Sequence, residues 1–181
     1  SYEEYSRSTN SETKQSQDGL SYNELTKPEK YAYTWFLTAV TGPDFIDRNS
    51  NGRADHGDWG YWVNFEYAKW LNDYKWRNPG EGFNRDVDGD FESFSYGKKE
   101  IYYLDKIITE SHVAIFEKSE RIDGREVFSL VDGGFIPSGS GSTIPRPSLK
   151  LDKIKMYTWD AYASGNVTEE NLLRAIAFNY D

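Results

Sequence analysis

The segment DRNSNGRADHGD, residues 47–58, spaces its oxygen-bearing side chains as a calcium loop does. With Asp47 as position 1, Asn49 is position 3, Asn51 position 5, Gly52 position 6, Arg53 position 7, Asp55 position 9 and Asp58 position 12. Ca²⁺ takes roughly six to eight hard oxygens at about 2.3–2.6 Å, and alternate residues of a coiling loop can supply them. Gly52 allows the sharp turn, and Arg53 would offer its backbone carbonyl. Asp58 stands where a longer Glu is usual, so its shorter arm would bind with one oxygen instead of two. Three acids and two amides make a weak set, with an expected affinity of about 10⁻⁴ to 10⁻⁵ M. The competing reading is an Asx-rich surface turn that holds no ion. A paired EF-hand is disfavoured, because Gly42-Pro43 breaks any helix leading into the loop.

A second acidic run, RDVDGDFE, holds Asp86, Asp88, Asp90 and Glu92. Its Gly89 comes too early for the same pattern, so it reads either as extra carboxylates for an ion or as a solvated turn. Trp59, Trp62, Trp70 and Trp76 follow the first loop. Flat rings beside a cation can stack on sugars, which makes Trp59, Trp62 and Trp70 candidate glycan contacts; the alternative is that they fill a β core.

Catalysis has little to stand on. No G-x-S-x-G, P-loop or H-E-x-x-H motif occurs. Cys is absent and His is limited to His56 and His112, which excludes thiol chemistry and disfavours His-based sites. A glycan hydrolase needs two facing carboxylates. With 30 Asp and Glu in the chain, some pair will always look suitable, so that reading stays only as a second alternative. The expectation is a non-enzyme.

The elements that must position these residues read as β. Trp 6, Tyr 14 and Phe 10 make 17% of the 181 residues. The net charge of −9 disfavours nucleic acid. No run of about 20 apolar residues could span a bilayer as a helix. Residues 1–27 are polar and read as weakly ordered, with a single β-rich domain over 28–181. KYAYTWFLTAV alternates as a strand. Residues 61–76 fit a strand at Val63, Phe65 and Tyr67, yet also a helical face, which periodicity alone slightly favours. FSYGKKEIYYLDKIIT and HVAIFEKSERID read as strands around a tight turn, and Asp123-Gly124 as a hairpin turn. Residues 133–148 read as a flexible Gly/Ser/Pro loop, LKLDKIKMYTW as a strand, Thr168 as a helix start and RAIAFNYD as a closing strand.

An internal echo runs through these strands. Leu37-x-x-Val40, Leu104-x-x-Ile107 and Leu151-x-x-Ile154 each open one. Phe65-Glu66-Tyr67 and Phe178-Asn179-Tyr180 follow the first and third, and Phe116 alone follows the middle copy. The spacing is uneven, and coincidence in a Tyr-rich β chain is the competing reading.

WFLTAVTGPDFIDRNSNGRADHGDWGYWVNFEY resembles an expanded Rhs/YD repeat, and RAIAFNYD resembles another repeat close. Over most of 31–181 the chain is similar to segments of very large exported bacterial proteins, notably of Bacteroidota, with Rhs-like or SpvB/Tc-toxin-like shells. Intact repeats are shorter and more regular. The resemblance implies long antiparallel β-hairpins; together with the residue reading, the expected fold is mainly β, with a calcium-type loop insertion at 47–58 and at most one or two short helices. The resemblance favours strand through Tyr67 and leaves 68–75 for a short helix. It also implies a structural, toxin-related shell segment, secreted or at the cell surface, whose partner is the remainder of a larger polypeptide.

Overall fold

The computed structural model describes residues 2–10, 22–26, 32–78, 91–127 and 145–180. The chain is mainly β. Among the described residues run the strands β1 (Tyr2–Asn10), β2 (Tyr22–Thr26), β3 (Ala39–Thr41), β4 (Trp62–Asn78), β5 (Phe91–Thr109), β6 (His112–Arg125), β7 (Pro147–Thr158) and β8 (Arg174–Ala177). A five-residue helix α1 (Trp159–Ala163) and a 3-10 turn (Glu169–Asn171) are the described helical pieces. Strand order is β2-β1-β5-β6-β7-β8, with β4 also on β5 and β3 on β4. The chain divides into two compact units. One comprises residues 1–34, 71–101 and 122–148; the other comprises 35–70, 102–121 and 149–181.

The second unit is three hairpins built to one register. In the first, Ala39 faces Asn64, Val40 faces Val63 and Thr41 faces Trp62. In the second, Lys106 faces Ile115, Ile107 faces Ala114 and Ile108 faces Val113. In the third, Lys153 faces Ala177, Ile154 faces Ile176 and Lys155 faces Ala175. Aligned on the Leu-x-x-Val/Ile motif, these are the same three rungs. Beyond them, Phe65 N–H donates to the Thr38 carbonyl at 2.9 Å, and Phe178 N–H to the Asp152 carbonyl at 2.8 Å. The echo in the sequence is therefore an echo in pairing.

Alternation along each strand separates two faces. One carries Trp62, Ile108 and Val113, and the connections of the first and third hairpins fold back over it. Ala54 from the 47–58 loop completes the buried cluster, and Phe45, Trp159 and Tyr162 pack on it. His56 stacks on Trp159 at 4.5 Å, which joins the two connections. Trp159 N–H also donates to the Ser111 carbonyl at 2.8 Å, fixing α1 over the tight turn of the second hairpin. The other face carries Phe36, Val40, Ile176, Phe178 and Tyr180, all exposed. Phe36 meets the Tyr67 ring at 4.7 Å on that side.

In the first unit β1 pairs with β2 and with β5 from Tyr2↔Lys99 to Asn10↔Phe91. Glu126, 6% exposed, ties this unit together. It accepts from Arg146 Nε at 2.7 Å, from Arg146 N–H at 3.1 Å and from Lys75 N–H at 3.2 Å.

Several local expectations change. Of the polar stretch 1–27, β1 and β2 are described and pair with each other; residues 1, 11–21 and 27 lie outside the described residues. Of the strand expected at 30–40, only Ala39 and Val40 join a ladder among the described residues, together with Thr41 beyond it. Residues 62–78 are strand throughout, with no helix at 68–75, because neighbouring strands outweigh a helical periodicity that also fits. Asp123-Gly124 lies inside β6, not in a turn. There Ser148 Oγ donates to the Gly124 carbonyl at 2.6 Å, and the chain is held extended. Thr168 begins only a 3-10 turn and its side chain caps no N–H. The described helix starts instead at Thr158, whose hydroxyl accepts from Ala161 N–H at 3.2 Å. Residues 128–144, most of the expected 133–148 loop, lie outside the described residues.

Candidate cation loop

The 47–58 loop is curled by its own short polar side chains. Asn49 Oδ1 accepts from Asn51 N–H at 3.0 Å, and Asn51 Oδ1 from Arg53 N–H at 2.8 Å. These are consecutive Asx turns, which Asn adopts because its side chain mimics a backbone turn. Gly52 stands at φ 74°, a left-handed conformation that suits glycine. Its N–H donates to Asp47 Oδ2 at 2.8 Å. Gly60, at φ 83°, lets the chain leave the loop where a Cβ would strike the Asp44 carbonyl.

Asp58 is 2% exposed and braces the loop from beneath. Its Oδ1 accepts from Arg48 N–H and its Oδ2 from Asp55 N–H, each at 3.0 Å. Asp55 sits among amides: Asn51 Nδ2 donates to its Oδ2 at 2.6 Å and Asn49 Nδ2 to its Oδ1 at 3.2 Å. The arrangement brings Asn49, Asn51 and Asp55 together and turns Asp58 towards backbone. Among the described residues, no three Asp, Glu or His side chains gather as a metal-binding group.

One atom is left over. Asp47 Oδ1 is enclosed and has no hydrogen-bond partner among the described residues. An enclosed carboxylate oxygen without a donor is costly, and a cation is one partner that would relieve the cost. The Asn carbonyls engaged in Asx turns each keep a second lone pair. Asp47, Asn49, Asn51, Asp55 and the Arg53 carbonyl are therefore the oxygens that could hold a hard cation. Asp58 supports them through the backbone of Arg48 and Asp55.

The loop is anchored to the core. Asn64 Nδ2 donates to the Ala54 carbonyl at 3.0 Å. An open cavity of about 620 Å³ adjoins it, lined in part by Phe45, Asp47, Arg53, Asn64, Phe65 and Glu66. Glu66 is paired with Lys106 Nζ at 2.7 Å. That hydrogen bond, with a second to Tyr162, outweighs burial and pushes the Lys106 ammonium above its ordinary value.

The other candidates separate. Trp62 is 2% exposed, because its ring fills the core under Ala54, so no sugar can reach it. Trp59 is 57% exposed, with the Arg48 guanidinium 4.6 Å from its ring centre, and Trp70 is 40% exposed. Asp86, Asp88 and Asp90 lie outside the described residues, and Glu92 is placed only as the β5 partner of Thr9.

Sequence reading missed two groups. The Arg146, Glu126 and Asp73 cluster had no local signal, since its members meet across long separations. The donors to the motif leucines had one, the Phe-x-Tyr echo. Tyr67 Oη donates to the Leu37 carbonyl at 3.1 Å, and Tyr180 Oη to the Leu151 carbonyl at 2.7 Å. In the middle copy, Lys118 Nζ takes the same position and donates to the Leu104 carbonyl at 2.9 Å.

Compared with known proteins, the chain matches no family model, no curated protein and no solved structure.

Proposed function

We propose that this chain is a non-enzymatic structural segment of a large exported bacterial protein, of the Rhs/YD-repeat kind, stabilised by Ca²⁺ at 47–58. The observation that carries this reading is the shared register of the three hairpins, with a donor to the motif leucine in each. Repeated hairpins of this sort bury little apart and gain stability from their neighbours. Their open face, with Phe36, Val40, Ile176, Phe178 and Tyr180, suits packing against the remainder of a parent polypeptide. A cell-surface or extracellular setting supplies the calcium that a weak loop requires.

Calcium acts on the fold through Ala54. Ordering the loop around an ion holds this residue, and with it the cover over Trp62, Ile108 and Val113. The ion contributes stability, not chemistry. A hydrophobic dye tests the open face: the native chain should enhance its fluorescence, and Val40→Lys with Ile176→Lys should abolish most of that gain. A native chain that leaves the dye dark would contradict the reading.

A second reading, a glycan-binding module, keeps only Trp59 and Trp70 of its three rings. Loss of binding on a glycan array by Trp59→Ala would favour it.

A further inference from the structure

The first strand of each hairpin is the acceptor for the hairpin before it: β4 pairs with β5, and β6 lies beside β7. Both junctions carry an ion pair from the acid that follows the motif phenylalanine. Glu66 meets Lys106 at 2.7 Å, and Glu117 meets Lys155 at 3.0 Å. At the two ends of this series the edges differ. Among the described residues β3 pairs with β4 alone and β8 with β7 alone.

These end edges match each other. From Ala175 to Tyr180 the sequence AIAFNY carries no charge, and Asn179 stands where Glu66 and Glu117 stand in the other copies. From Phe36 to Thr41 the sequence FLTAVT is also uncharged. Beyond Arg174, which opens β8, neither has the Lys, Pro or inward charge with which proteins blunt a free edge. Ile176 is 47% exposed and Leu37 57%. Because β3 holds the place in its hairpin that β5 and β7 hold in theirs, it has the register to follow β8.

We propose that β8 of one copy of this chain receives β3 of a second copy, head to tail, continuing the order of hairpins across molecules. Such a contact joins two different surfaces and does not close on itself, so it extends into chains of copies. The inference rests on the equivalence of the hairpins. It does not depend on calcium and concerns pairing at the strand edges, so it can fail while the function proposed above stands.

Phe178 N–H points inward to Asp152. Alternation then turns the N–H groups of Ala175 and Ala177 outward. Proline there removes only edge donors and is tolerated on an edge strand. The test is sedimentation velocity of the full chain over a wide concentration range, beside Ala175→Pro and Ala177→Pro. The expected result is an average mass that rises beyond a dimer in the parent chain and stays monomeric in the proline variants, with their melting temperatures retained. If a proline variant unfolds, Ala177→Lys replaces it and should also stay monomeric. A parent chain that is monomeric throughout overturns the proposal, as does assembly that persists in folded edge variants.

Discussion

Tyr180 donates its hydroxyl to the carbonyl of Leu151 at 2.7 Å, the bond that Tyr67 makes to Leu37 at 3.1 Å two hairpins earlier. Lys118 makes it to Leu104 in the middle. Three copies thus keep one hydrogen bond while one of them changes the donor from phenol to ammonium. What the fold preserves is a donor at that point, placed by the register.

Removing the donor should loosen one hairpin at a time. Tyr180→Phe is expected to cost about 1 kcal/mol, since the bond is exposed and the ring keeps its contacts. Hydrogen exchange should rise in β8 and remain unchanged in β3. Lys118→Met should cost more, because this ammonium also serves the Phe116 carbonyl at 2.7 Å and Asp105 at 3.1 Å. Equal effects from the two substitutions would contradict the account.

Glu126 makes the chain sensitive to acid. Burial pushes its carboxyl up, but the Arg146 guanidinium and the backbone N–H groups of Arg146 and Lys75 outweigh that and hold it below its ordinary 4.5. Asp73 is lowered too, chiefly by its hydrogen bond from Arg146. A folded carboxyl held low stabilises above its unfolded value, and that stability is lost as pH falls through the folded one. Urea midpoints should therefore drop as pH goes below about 4.5. Arg146→Met, which strands a buried carboxylate, should cost about 3 kcal/mol at neutral pH and flatten the acid limb. An unchanged acid limb in that variant would count against this origin.

Trp62 is core, so Trp62→Ala should cost about 3–5 kcal/mol. Its Nε1 is buried with no hydrogen-bond partner among the described residues. Trp62→Phe removes that unpaired donor and should cost much less than the alanine variant. Chemical denaturation measures both. A Trp62→Ala chain of parental stability would mean the ring is not buried in solution.

The β class, the tight turn within Thr109–His112 and the strand at 149–159 were legible from alternation and turn residues, except that Trp159 opens α1. The echo was legible too, beside coincidence, because Leu-x-x-Ile and Phe-x-Tyr are local strings. Lys118 as a donor was not, because no string equates Lys with Tyr; only the pairing of Ile107 with Ala114 places it. Residues 61–76 satisfied two periods at once, and pairing decided between them. Asp123-Gly124 has turn chemistry, but bonds from residues 145–148 hold it extended. For the loop, the sequence supplied the ligand types and the turn glycine. The turning of Asp58 towards the Arg48 and Asp55 backbone depends on burial, which spacing does not encode.

Thermal melting of the chain in EDTA and then in millimolar Ca²⁺, with Mg²⁺ as control, tests the calcium-stabilised scaffold most directly. A folded-state site at ten- to hundredfold excess adds roughly 1–3 kcal/mol. For a chain of this size each kcal/mol raises the midpoint by about 2–4 °C. The account predicts a calcium-specific rise of several degrees that Asp47→Ala abolishes. The same melting curve in EDTA and in Ca²⁺, or a rise that survives Asp47→Ala, would contradict it.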